Sequence, residues 1–129
     1  MSGPWRDVFD LGTASRTAEV SGTRRALNEQ LVRWGCTNAS DVSLVLSELE
    51  TNAVAHAGRA TRMSVELVGG QVRLEVDDPQ SSGPAIRPQG TAAGGFGLRI
   101  VERLSATWGW HVNPTGKTVW SMLPCAGVR

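Results

Sequence analysis

The run Ser47-Glu48-Leu49-Glu50-Thr51-Asn52-Ala53-Val54-Ala55-His56-Ala57 sets the reading of this chain. It places an acid, an amide and an imidazole four residues apart: Glu48, Asn52 and His56. Four residues advance a helix by about 40° beyond one turn, so all three project from one side. Val45, Leu46, Leu49 and Ala53 form a neighbouring apolar stripe. A core stripe beside a stripe of Glu and Asn fits either a solvated helix face or a site. In a site, the Glu can take a proton and the Asn can offer an oxygen to a hard cation such as Mg²⁺.

Working outward, Asn38 or Ser40 is positioned to cap this helix, predicted over 41–57, and Gly58 to end it. An earlier helix is predicted from a cap at Ser15 or Thr17 to Trp34, with Val20, Leu27, Leu31 and Trp34 apolar and Gly35 closing it. Residues 5–11 alternate imperfectly, as a short edge strand does. Downstream, 63–67 and 72–76 alternate apolar with polar around Gly69-Gly70, a hairpin with one buried face. Residues 79–97 hold three prolines and five glycines, a long loop of the kind that carries function or lacks order. A third helix over 96–105 and a second hairpin, 107–112 with 118–123, complete the order. Strand, helix, helix, strand, strand, helix, strand, strand predicts a two-layer α+β sandwich. The helices lie on one face of a mixed or antiparallel sheet.

At 129 residues the chain reads as one domain, with a core over about 15–124. Net charge is +1 and the arginines are spread along the chain. This excludes a strong field for nucleic acid or anionic lipid. Lys117 is the one lysine among thirteen basic residues. Cys36 and Cys125 match no metal spacing and are expected as two free thiols of a reducing compartment. No apolar run is long enough to span a bilayer and the N-terminus lacks a signal-peptide core, so a soluble cytoplasmic protein is expected.

Two further elements carry candidate chemistry. In Leu74-Glu75-Val76-Asp77-Asp78-Pro79, Asp78 shares the parity of Leu74 and Val76 and should point inward where the strand ends, with Asp77 outward. Asp78 either caps a turn before Pro79 or is an inward carboxylate that needs a partner, such as a purine amine. In Gly94-Gly95-Phe96-Gly97-Leu98-Arg99, glycines open a helix. Its free N–H groups and positive dipole end suit phosphate, although loop flexibility alone also explains the glycines. The run matches neither a P-loop nor a dinucleotide fingerprint.

Taken together, the three elements resemble the N, G1 and G2 boxes of the GHKL (Bergerat-fold) ATP-binding superfamily. The similarity is greatest to the small bacterial anti-sigma-factor serine/threonine kinases. Leu46-Ser47-Glu48-Leu49, Thr51-Asn52-Ala53-Val54 and His56-Ala57 resemble the N box, and Gly95-Phe96-Gly97-Leu98-Arg99-Ile100-Val101 the G2 box. Trp108-Gly109 and Gly116-Lys117-Thr118-Val119-Trp120 are similar to the closing hairpin. The resemblance implies ATP and Mg²⁺ as cofactors, with Asn52 binding the metal that bridges the phosphates. Glu48 would be the general base, Asp78 would hold the adenine amine, and Gly95, Gly97 and Leu98 would close on the phosphates. It further implies a serine acceptor on an anti-anti-sigma partner, sequestration of a sigma factor, and a homodimer.

The sequence also departs from that pattern. Asp78 is followed by Pro79-Gln80-Ser81-Ser82 instead of glycines. Glu50 replaces an apolar residue and is expected to face solvent or to add charge near the nucleotide. Arg87 and Arg99 are the candidates nearest the γ-phosphate. Two other function classes remain open: a nucleotide-dependent binding module with little phosphoryl transfer, and a detached histidine-kinase catalytic domain. For the latter no phospho-accepting histidine sits on a dimerisation helix pair, since His56 and His111 fall elsewhere.

Overall fold

The computed structural model describes residues 6–14, 20–83 and 95–127. In chain order it contains β1 (Arg6–Ala14), α1 (Val20–Trp34), α2 (Ala39–Ala57), β2 (Ala60–Val68), β3 (Gln71–Asp78), α3 (Gly95–Leu104), β4 (Thr107–Asn113) and β5 (Gly116–Pro124). The five strands form one sheet in the order β1-β2-β3-β5-β4, and every pairing is antiparallel. The expected α+β sandwich is therefore present, and of the two sheet types expected it takes the antiparallel one. The expected caps at Ser15 and Thr17 lie outside the described residues.

Alternation builds the sheet's buried face. Val72, Leu74 and Val76 are buried while Arg73, Glu75 and Asp77 between them are only partly covered. Leu74 lies opposite Val65 on β2 and Ser121 on β5, and both neighbours are buried too. Gly69 and Gly70, both with positive φ, form the two-residue turn that fixes the β2–β3 register. Edge strand β1 is interrupted by irregularities around Gly12, a common device at sheet edges.

All three helices pack over this face. α2 is central, lying on β2, β3 and β5, with α1 on one flank and α3 on the other. Leu27 and Leu31 of α1, Val42, Val45 and Leu46 of α2, and Val101 of α3 are completely or almost completely buried. Gly58 ends α2 in the left-handed conformation, with its N–H bonded to the Val54 carbonyl at 3.1 Å. Asn38 occupies the N-cap position, yet its side chain does not cap. It is drawn to the end of β5: Nδ2 donates to the Pro124 carbonyl at 2.8 Å and Oδ1 accepts from the Ala126 N–H at 2.9 Å.

Two sequence expectations are corrected here. Cys36 and Cys125 are not free thiols: they form a disulfide with Cα atoms 4.9 Å apart. They are 89 residues apart in sequence, and only the packing of the α1–α2 turn against the end of β5 brings them together. A disulfide persists in oxidising surroundings, so the thiol argument for a reducing compartment no longer holds. Glu50 does not face solvent. It is fully buried, and Thr23 Oγ1 on α1 donates to its Oε2 at 3.1 Å. The reason is angular: two residues advance a helix by about 200°, so Glu50 and Glu48 face nearly opposite ways. Glu50 belongs to a polar seam with Ser43 and Ser47. Ser43 Oγ donates to Asn28 Oδ1, and Arg24 Nε donates to Ser47 Oγ at 3.0 Å.

Candidate functional site

The seam fixes the orientation of α2. Glu50, Ser47 and Ser43 face α1, while Val42, Leu46, Leu49 and Ala53 face the sheet. Glu48 and Asn52 lie about 160–200° round from Glu50. That is the side turned away from α1, and α3 packs on α2 as well. Both residues are half-buried. A carboxylate and an amide are thus held on a rigid helix with part of each open to a ligand. His56 is exposed in the last turn.

Asp78 extends the buried row of β3 by one position, where an apolar side chain would otherwise follow Val76. It is 3% exposed and faces the helix side of the sheet, whereas its neighbour Asp77 faces the open side. There Asp77 accepts from Arg62 Nε at 2.9 Å and Thr118 Oγ1 at 2.7 Å. Its side of the sheet is a lattice of charges. Arg62 also reaches Glu75 at 2.7 Å, as does Arg73, whose guanidinium lies 4.8 Å from the Trp120 ring centroid. Burial pushes Glu75 up, but the bonds from Arg73 and Arg62 outweigh it and leave its pKa below the usual carboxylate value. The bond with Asp77 holds Arg62 above its ordinary value against desolvation.

An inward carboxylate needs a partner, and among the described residues the charged one is Lys117. Asp78 pairs with Lys117 in the β3–β5 register, and Nζ approaches Oδ1 at 3.0 Å, with the lysine 4% exposed. Nζ also donates to the Gln80 carbonyl at 3.2 Å, and the Gln80 N–H donates to the same Oδ1 at 2.9 Å. A Cβ on Gly116 would collide with the Asp78 carbonyl, so glycine there lets β5 begin directly against the strand end. The sequence shows Lys117 as the one lysine and as part of the closing-hairpin run, with no role at the site. Its pairing depends on the β3–β5 register, which spans a long connection and leaves no local signal.

Gly95 and Gly97 lie in the first turn of α3. Leu98 is 1% exposed, so what it can present to a ligand is backbone. Arg99 is exposed on α3, and Arg87 lies outside the described residues. Gly83 sits so close to the Trp110 ring of β4 that a Cβ would overlap it, which directs the chain after β3 toward that edge strand. Among the described residues, no cluster of three or more His, Cys, Asp or Glu side chains could hold a metal alone. Magnesium does not need such a cage, because it is commonly held by one or two protein oxygens with phosphates and water. Asn52 is compatible with that donor set.

An antiparallel sheet carrying three helices on one face, with Glu48 and Asn52 on the central helix and an inward Asp78 at a strand end, is the arrangement of a Bergerat-type ATP-binding domain. The family model described as "Histidine kinase-like ATPase domain" matches residues 13–122, and the chain belongs to that family. Membership implies ATP as the ligand. Among curated proteins no sequence matches. A solved structure, that of the RsbU and RsbW domains of Rv1364c from Mycobacterium tuberculosis, matches with a TM-score of 0.60 at 23% identity. The match covers 95% of this chain and 32% of that one, so this chain spans about a third of the solved protein. At that identity the likeness bears on the fold. No helix among the described residues is long and apolar enough to cross a membrane.

Proposed function

We propose that this protein is an ATP-binding anti-sigma factor and serine/threonine-protein kinase. It phosphorylates a serine of an anti-anti-sigma partner and holds a sigma factor, acting as a homodimer. The observation that carries this reading is the placement of Glu48 and Asn52, half-open on the side of α2 turned from α1, on the same layer as the helix that begins at Gly95. Asp78 accepts the adenine amine, and the N–H groups of the first turn of α3, at Gly95, Gly97 and Leu98, take the phosphates. Asn52 offers its side-chain oxygen to Mg²⁺, which when bound neutralises charge on the phosphates. Glu48 takes the proton of the acceptor serine as its Oγ bonds to the γ-phosphorus and the bond to the ADP oxygen breaks. The solved RsbW-containing neighbour supports the anti-sigma context.

Calorimetric titration with ATP and Mg²⁺ tests the site. Asn52→Ala is expected to weaken binding at least tenfold, about 1.4 kcal/mol. With the serine-bearing partner, wild type transfers phosphate and Glu48→Ala does not. Equal transfer by both would remove Glu48 from the mechanism. A second reading, ATP-dependent capture of a regulator without transfer, is favoured by the altered segment after Asp78, where Pro79 and Gln80 stand and Oδ1 is already engaged. Capture that persists in Glu48→Ala with no phosphorylated product in wild type would select it.

A further inference from the structure

We infer that Lys117 is a positioning residue that makes the nucleotide site selective for a 6-aminopurine. This rests on the proposed role of Asp78 toward the base. The buried carboxylate has two oxygens with different fates. Oδ1 accepts two bonds, from Lys117 Nζ at 3.0 Å and the Gln80 N–H at 2.9 Å. Oδ2 accepts none from the described residues. An ammonium is a point-like donor that satisfies one oxygen without covering the other. Nζ is itself held by the Gln80 carbonyl, and the backbone of β5 is pressed against the Asp78 carbonyl at Gly116. The carboxylate therefore cannot swing without breaking the ion pair and the Gln80 bond together.

A fixed carboxylate oxygen with no internal donor reads a ligand N–H. It accepts from an exocyclic amine and rejects a base that lacks one, because a buried acceptor left unpaired is costly. Fixing that oxygen removes the ordering cost that a mobile side chain would bear on binding.

The test compares ATP with purine riboside triphosphate, which lacks the 6-amino group, by calorimetry with Mg²⁺. Wild type is expected to favour ATP by at least tenfold. Lys117→Arg keeps the charge, but its fork reaches both carboxylate oxygens. It is expected to fold, by circular dichroism, and to bring the two affinities to within about threefold of each other. A merely structural lysine would leave the ratio in Lys117→Arg unchanged, and that result overturns the inference while the ATP-binding reading stands. Equal affinities in wild type also overturn it. If Lys117→Arg does not fold, Lys117→Met measured below its unfolding midpoint takes its place: a retained tenfold ratio overturns the inference and a collapsed one supports it. Wild type binding neither nucleotide overturns the function reading beneath it.

Discussion

The two ends of the sheet are held by different means. At one end the α1–α2 turn meets the end of β5 through the Cys36–Cys125 disulfide, the Asn38 bonds to Pro124 and Ala126, and a Thr37 N–H to Ala126 carbonyl bond of 2.8 Å. At the other, β3 ends in Asp78 and β5 begins at Gly116 and Lys117, joined by a buried ion pair. The first end is covalent and built largely from backbone groups. The second concentrates its polarity in one charged pair, with Pro79 and Gln80 beyond it exposed. This contrast locates where the fold can accept a ligand. A covalently closed end has its polar groups satisfied internally, whereas a carboxylate with one oxygen engaged keeps capacity for a partner.

The largest expected effect is at the charged end. Lys117→Met leaves a buried carboxylate without its cation and should cost ~3–5 kcal/mol in urea unfolding. A cost below ~1 kcal/mol would show that water reaches Asp78 freely and that the two ends are less different than described. Next comes the covalent end. Replacing both Cys36 and Cys125 by serine should cost ~2–4 kcal/mol, through the large loop that the disulfide closes. ATP affinity should stay within about twofold in that variant. A tenfold change would mean that the ends are coupled through α2.

The smallest effect belongs to the open face between them. Glu75 has a lowered pKa in the folded state, so it stabilises the fold above its unfolded value of 4.5. That contribution is lost as pH falls below 4.5 through the lower folded value. Glu75→Gln should therefore lower stability by under ~1 kcal/mol at pH 7, since the group is partly exposed, and the gap to wild type should close at acid pH. A gap that widens on acidification would reverse the sign assigned to Glu75.

What could be read from the sequence was what repeats locally. The hairpin around Gly69-Gly70 was legible because the alternation on both strands and the two glycines agree. The inward direction of Asp78 followed from parity with Leu74 and Val76, a property of the strand alone. The direction of Glu50 is not legible in the sequence, because the stripe it shares with Ser43 and Ser47 faces α1 only once the two helices pack. Of the two cap candidates, Asn38 and Ser40, Asn38 takes the N-cap position, but its amide is claimed by a carbonyl and an N–H more than eighty residues away.

The order of elements, the faces of each strand and the stripe that carries Glu48 and Asn52 are written in the chain, because they depend on periods of two and 3.6 residues along it. The disulfide, the α1–α2 seam and the Asp78–Lys117 pair arise only from packing of the folded chain. Each joins side chains whose separation in the chain is large, and their meeting is set by strand order and helix packing, which no local period encodes.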